Sequence, residues 1–154
     1  MKIRALKLED YDEVLKIWRE GGITVKKADS EEGFIVMLQR NPDTCFGAIE
    51  DGELCGVILG GFDGRRGIIH HLAVRKEFRN RGIARELVQM VEKKFREKGV
   101  EKINFWVEKP NMEAVDFYRK IGYHLRDDIV TVSKVLTNGK DTGRASAKQI
   151  TQRG

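Results

Sequence analysis

Ile68-Ile69-His70-His71-Leu72-Ala73-Val74, followed after a short charged stretch by Arg79-Asn80-Arg81-Gly82-Ile83-Ala84, is the part of the chain on which the fold turns. The first run reads as a buried strand. The second reads as a turn opening a helix, because Ile83, Leu87, Val91 and Phe95 recur at helical spacing. A strand ending in such a turn aims several main-chain N–H groups at one spot, since the first turn of a helix leaves its N–H groups without partners. Gly82 lacks a Cβ, so an anionic oxygen can approach the backbone there, and Ala84 leaves a second approach nearly as open. Arg75, Lys76, Arg79, Arg81 and Arg85 crowd the turn against only Glu77 and Glu86. Alone, that cluster reads as a solvated basic loop; coupled to the glycine turn it reads as a diphosphate site.

Upstream, residues 2–6 alternate like a strand, and Tyr11, Val14, Leu15 and Trp18 mark a helix that stops at Gly21-Gly22. Ser30 before Glu31-Glu32 reads as the N-cap of a second helix ending near Asn41-Pro42. Residues 44–63 form two strands about an Asp51-Gly52 turn, and Gly64-Arg65-Arg66-Gly67 leads into the strand 68–74, which completes an antiparallel meander. Downstream, the helix from Gly82 stops at Gly99, with Lys93, Lys94 and Lys98 complementing its dipole. Residues 102–107 follow this helical crossover and should therefore run parallel to 68–74. A helix over 111–121 and a closing hairpin over 123–125 and 129–136, with Arg126-Asp127-Asp128 in its loop, complete the pattern. The expected fold is a mixed α/β structure: a mostly antiparallel sheet with one central parallel pair and helices on both faces. Residues 1–136 make one domain, and 137–154 read as a flexible basic tail.

A chain of 154 residues can bury a real core. It contains no run of 18 apolar residues, and its start, Met1-Lys2-Ile3-Arg4, lacks a signal peptide's apolar stretch, so the expectation is a cytoplasmic protein outside the membrane. The hairpin register puts Ala48 opposite Cys55 and Cys45 on the other face, so the two cysteines should stay reduced; without a spaced Cys/His set, no metal is expected. The net charge of +5 favours an anionic partner. A nucleic acid is not expected, because no basic strand is interleaved with aromatics.

Two motifs resemble those of the GCN5-related N-acetyltransferases (GNAT). The acetyl-coenzyme A motif R/Q-x-x-G-x-G/A is met by Arg79, Gly82 and Ala84, and a later segment by Asn111, Ala114, Phe117-Tyr118 and Gly122-Tyr123. The resemblance spans roughly residues 1–136 and implies acetyl-CoA as cosubstrate, held in a gap between the strand ending Leu72-Ala73-Val74 and the strand 102–107. It places the diphosphate at the N–H groups of Asn80, Arg81, Gly82, Ile83 and Ala84, with Arg79, Arg81 or Arg75 neutralising phosphate charge, and the pantetheine amides at Leu72 and Val74. The implied activity is direct acetyl transfer to a primary amine on a small molecule, a protein N-terminus or a lysine. A non-catalytic acyl-CoA sensor on the same fold is the alternative. The family also admits a homodimer.

Acetyl transfer requires a neutral amine, a stabilised oxyanion and a proton for the leaving thiolate. Tyr118 matches the family's general acid, and the competing reading is a packing residue beside Phe117. Asn111 matches a family residue that holds pantetheine, and it equally suits the helix N-cap. N-terminal-alanine acetylases carry a Glu where this chain has Trp106; Glu108 is near but of opposite strand parity. His70 sits where serotonin N-acetyltransferases have one of two cleft histidines, the other position being Ile68 here. The base is therefore either His70 or ordered water, and His71, by alternation, points to the opposite face. The acceptor is expected near Trp18, residues 21–27 and residues 126–128.

Overall fold

Five strands lie side by side in sequence order in the computed structural model, which describes residues 1–109 and 111–137. Strands β1 (Lys2–Ala5), β2 (Cys45–Glu50), β3 (Glu53–Phe62) and β4 (Gly67–Val74) pair antiparallel with successive neighbours, and β5 (Ile103–Phe105) runs parallel to β4. The expected mixed sheet with one parallel pair is thus present. The β2–β3 turn has Asp51 at φ 52° and Gly52 at φ 76°, as a two-residue hairpin requires.

Helices α1 (Tyr11–Glu20) and α2 (Glu31–Arg40) cover one face, packing Val14, Ile17, Trp18, Phe34 and Leu38 onto Cys45, Val57, Leu59 and Ala73. The Ser30 hydroxyl accepts from Gly33 N–H at 3.1 Å, the expected N-cap of α2. Helix α3 (Ile83–Glu97) covers the other face with Ile83, Leu87, Val88, Val91 and Phe95 against Phe46, Ala48, Ile58 and Ile69. Each full burial of such a side chain is worth about 1.5–3 kcal/mol, so packing holds this helix more than propensity does. Helix α4 (Met112–Lys120) follows β5, and beyond it the Tyr123 hydroxyl donates to Glu92 of α3 at 2.8 Å.

Three expectations are corrected. Ala48 faces Gly56 rather than Cys55, because Cys55 is the extra residue of a bulge before the Ile49–Leu54 pair. The thiols nevertheless lie on opposite faces, free and buried, and burial pushes both up, Cys45 to about 12. The strand 102–107 is shorter than expected and stops at Phe105. The closing hairpin is not formed: the described residues after α4 contain no strand, and Val130 and Leu136 are 86% and 88% exposed. Its apolar residues Ile129, Val130, Val132, Val135 and Leu136 fall on both faces of a strand, which leaves register weakly specified, and β5 offers only three residues to pair with. Residues 138–154 of the expected tail lie outside the described residues. No helix among the described residues is long and apolar enough to cross a membrane.

Candidate active site

The parallel pair ends early. Gly67, Ile68 and Ile69 pair with Ile103, Asn104 and Phe105, after which β5 stops while β4 runs on to Val74, with β3 as its one strand partner there among the described residues. Residues 70–74 therefore present an open edge, and Leu72, Ala73 and Val74 lie along it. The open groups of a splayed edge suit an extended polar chain, as in strand addition.

Below the end of β4 a turn, Lys76–Phe78, leads into α3. Asn80 and Gly82 both take left-handed backbone conformations, φ 63° and 80°. Such alternation gathers successive N–H groups into a concave anion-binding nest. Among the described residues no acceptor takes the N–H groups of residues 80–84; the helical ladder starts with Glu86 N–H bonded to Gly82 O at 3.1 Å. A cleft of about 260 Å³ opens there, lined by Val74, Phe78, Arg79, Asn80, Gly82, Ile83, Ala84, Arg85 and Phe117. Arg79 Nε donates to Val74 O at 3.0 Å, and Arg81 lies over the Phe78 ring. Arg75 is turned away: it bonds Leu54 O and pairs with Glu13, Glu20 and Glu53, so it is not a phosphate ligand here. Phe78 and Phe117 were not foreseen as cleft walls, although Phe117 stands within the second motif.

On the α1–α2 face the fork is closed by side chains. Leu59 of β3 stands opposite two residues of β4, His70 and His71, because the register shifts between Ile58 and Gly60. This bulge overturns the expected alternation. A Cβ on Gly61 would touch His70 at 3.3 Å on the side away from α3, and His71 packs edge-on to Trp18 of α1 at 4.9 Å, so both imidazoles lie on the α1–α2 face. His70 stands edge-on to Trp106, which is 66% exposed. These are the first residues of the two strands beyond the Ile69–Phe105 pair. The protein around His70 and the nearby His71 hold its pKa below the ordinary histidine value, against an opposing pull from Asp29. Trp18 is fully buried and does not line an open acceptor pocket as expected. Of the expected acceptor loop, Arg126 is engaged with Asp128 at 2.7 Å. Behind the histidines lies Asp29, a residue no local pattern singled out, with Oδ1 2.8 Å from His71 Nε2.

On the α3 side of the fork, Tyr118 of α4 stacks on Phe105 at 4.0 Å between ring centres, with Phe117 and Tyr123 at its edges. Burial pushes its phenol up to about 12, so it is a protonated donor at neutral pH. Asn111 caps α4, its Oδ1 accepting from Ala114 N–H at 3.2 Å.

Comparison with known proteins agrees with this geometry. The sequence model of the Acetyltransferase (GNAT) family matches residues 9–123. An acetyltransferase of Sodalis glossinidius is 33% identical over 141 residues, covering 92% of this chain and 99% of that protein. The PaiA N-acetyltransferase of Thermoplasma acidophilum, solved in complex with coenzyme A, superposes with a TM-score of 0.72 at 25% identity, covering 91% of this chain and 94% of that one. An aminoglycoside acetyltransferase from an uncultured soil metagenomic sample, solved with trehalose, shares the fold at 20% identity, a TM-score of 0.69 and coverages of 88% and 96%. An open-edged fork above an N–H nest, on a chain matched almost end to end by acetyltransferases, identifies an N-acetyltransferase that belongs to the GNAT family.

Proposed function

We propose that this protein transfers an acetyl group from acetyl-CoA directly to a primary amine at the β4–β5 fork. The observation that carries this reading is the continuity of backbone groups: the nest at residues 80–84 adjoins the β4 edge at residues 70–74, which beyond Ile69 pairs with no strand on that side among the described residues and has Arg79 on its Val74 O. A diphosphate bonded to the first and amides bonded to the second would aim a thioester at the fork. The residues present fit coenzyme A. Among the described residues no acceptor fills the nest, Arg79 stands at its rim, and Phe117 and Val74 give an apolar wall to an aliphatic arm.

Tyr118 protonates the departing thiolate. Its phenol at the α3 side of the fork keeps its proton at pH 7 and can hand it to sulfur as the C–S bond breaks, the loss of a nitrogen proton to the phenolate drawing the transfer forward. His70, or a water it holds, accepts the proton that the incoming ammonium must lose; its lowered pKa keeps the ring neutral near pH 7. Main-chain N–H groups on the free edge of β4 are the donors at hand for the developing oxyanion. Neither buried thiol is placed to act as an acyl carrier, so attack is direct.

The test is thiol release from acetyl-CoA across a panel of small amines and peptide N-termini, with calorimetry of coenzyme A binding beside it. Turnover that falls in Gly82→Val with a raised acetyl-CoA KM supports the reading. Binding without turnover for every amine would convert it to a sensor, and no binding would end it.

A further inference from the structure

The connection between α1 and α2 is fastened to the sheet through one acid. Asp29 ends the turn Lys27–Asp29, and three hydrogen bonds converge on it: Oδ1 accepts from His71 Nε2 (2.8 Å), Oδ2 from Lys26 N–H (3.0 Å), and its main-chain oxygen from the Tyr11 hydroxyl (2.7 Å). A carboxylate only accepts, so the proton between Asp29 and His71 sits on Nε2. Holding the loop does not require a charge. An asparagine would accept from Lys26 N–H with its one oxygen and donate its amide N–H to His71 Nε2 in the other tautomer, keeping both bonds without the cost of burying an ionised group. Yet the residue is an acid at 9% exposure. Burial drives its pKa up, and the bonds from His71 and Lys26 N–H more than reverse this, leaving it below the ordinary carboxylate value.

A fixed negative charge therefore stands directly behind the bulge that turns His70 and His71 to one face. It acts on both rings. The groups around it are His71 and His70 of β4 and the Lys26 N–H of its own turn, while Tyr11 of α1 meets only its main-chain oxygen.

We propose that Asp29 is a positioning residue for acetyl transfer: acting through His71, its charge draws the acceptor ammonium to the fork and balances the positive charge His70 takes up on removing a proton. The inference rests on the transferase reading above. In the step, the ammonium gives one proton to His70, and the freed electron pair forms the N–C bond to the acetyl carbonyl. The C–S bond then breaks, and sulfur keeps its electron pair and takes the Tyr118 proton. The second nitrogen proton returns to the phenolate, and His70 releases its own to water.

Ethylamine, 2-fluoroethylamine, 2,2-difluoroethylamine and 2,2,2-trifluoroethylamine test this, because they are similar in size and fall steadily in basicity. At about pH 7.5 the first is almost wholly ammonium and the last almost wholly free amine. Asp29→Asn should lower kcat/KM for ethylamine about tenfold more than for trifluoroethylamine, a fraction of what a general base contributes, with the acetyl-CoA KM unchanged. His71→Gln should show the same graded loss, and Asp29→Glu should recover part of it. A merely structural acid would depress the whole series equally, so an even loss, or none, in a variant with wild-type circular dichroism overturns the assignment while sparing the transferase reading. A wild type that releases no thiol with any of the four amines overturns the assignment, and one that releases none with peptide N-termini either overturns the transferase reading as well.

Discussion

On the α3 side of the fork the groups proposed to bind are main-chain N–H groups from one short run, residues 80–84, left without acceptors among the described residues. On the α1–α2 side they are the side chains of His70 and Trp106, which stand edge to face, while the neighbouring His71 is held by Asp29 and Trp18. The first side is generic, since any diphosphate carrier meets the same backbone. The second is particular, because changing one side chain alters what the cleft accepts. One half can thus stay fixed to a common donor while the other is shaped to an acceptor, and substitutions on the two sides should separate kinetically.

The largest separation is expected at Tyr118, which on the proposed mechanism serves chemistry without serving either binding half. Tyr118→Phe keeps the ring stacked on Phe105, and no hydrogen bond of its hydroxyl is lost to the described protein, so stability and both KM values should hold. Its kcat should fall about 100-fold where bond breaking limits the rate. Rapid-quench turnover at saturating acetyl-CoA measures this, and a kcat within a factor of about two of wild type would remove the acid role. Next comes Gly33 of α2, on the acceptor side. A Cβ there would lie 2.1 Å from Ala28 O, so Gly33→Ala must push the Lys27–Asp29 turn away from α2. Overpacking of this kind costs about 1–3 kcal/mol, and the displaced turn should raise the amine KM while leaving that of acetyl-CoA. Gly82→Ala is the mirror experiment: open space surrounds the site, but φ 80° strains an L-residue by about 1–2 kcal/mol, and here the acetyl-CoA KM should rise instead. Equal effects of both glycine variants on both KM values would dissolve the distinction between the halves.

The same asymmetry governs what could be read from the sequence. The nest was legible because it is local: Gly82, the arginines around it and the helical spacing from Ile83 lie within one stretch. The meander and parallel crossover followed from turn residues and periodicity in the same way. Asp29 was not legible, because its partner lies 42 residues away and an acid before Ser30-Glu31-Glu32 looks like one more charge at a helix start. His71 was misplaced because alternation carries no mark of a bulge; only the pairing of Leu59 against two β4 residues reveals it. Trp18 was expected at an open pocket and is instead buried against Phe34 and His71. The closing hairpin failed for the opposite reason: its β-forming residues were evident, but no single face of them is apolar.

The smallest effect should appear in the pH dependence of stability, and its sign follows from the two lowered values on the acceptor side. His70 holds its proton less tightly folded than unfolded, so on acidification the unfolded chain binds that proton first and stability declines below about pH 6.5. Asp29 is likewise lowered, and its contribution is present above about pH 4 and lost as pH falls through its folded value. Urea midpoints measured from pH 7 downward should therefore fall in two stages. Asp29→Asn should remove part of the lower stage and, because its charge no longer helps His70 hold a proton, deepen the upper one, whereas His70→Gln should remove the upper stage. Because the donor side presents neutral N–H groups in place of titrating side chains, Gly82→Ala should displace the whole curve without changing its shape. A change of shape in that variant would mean that the two halves of the fork share charge as well as space.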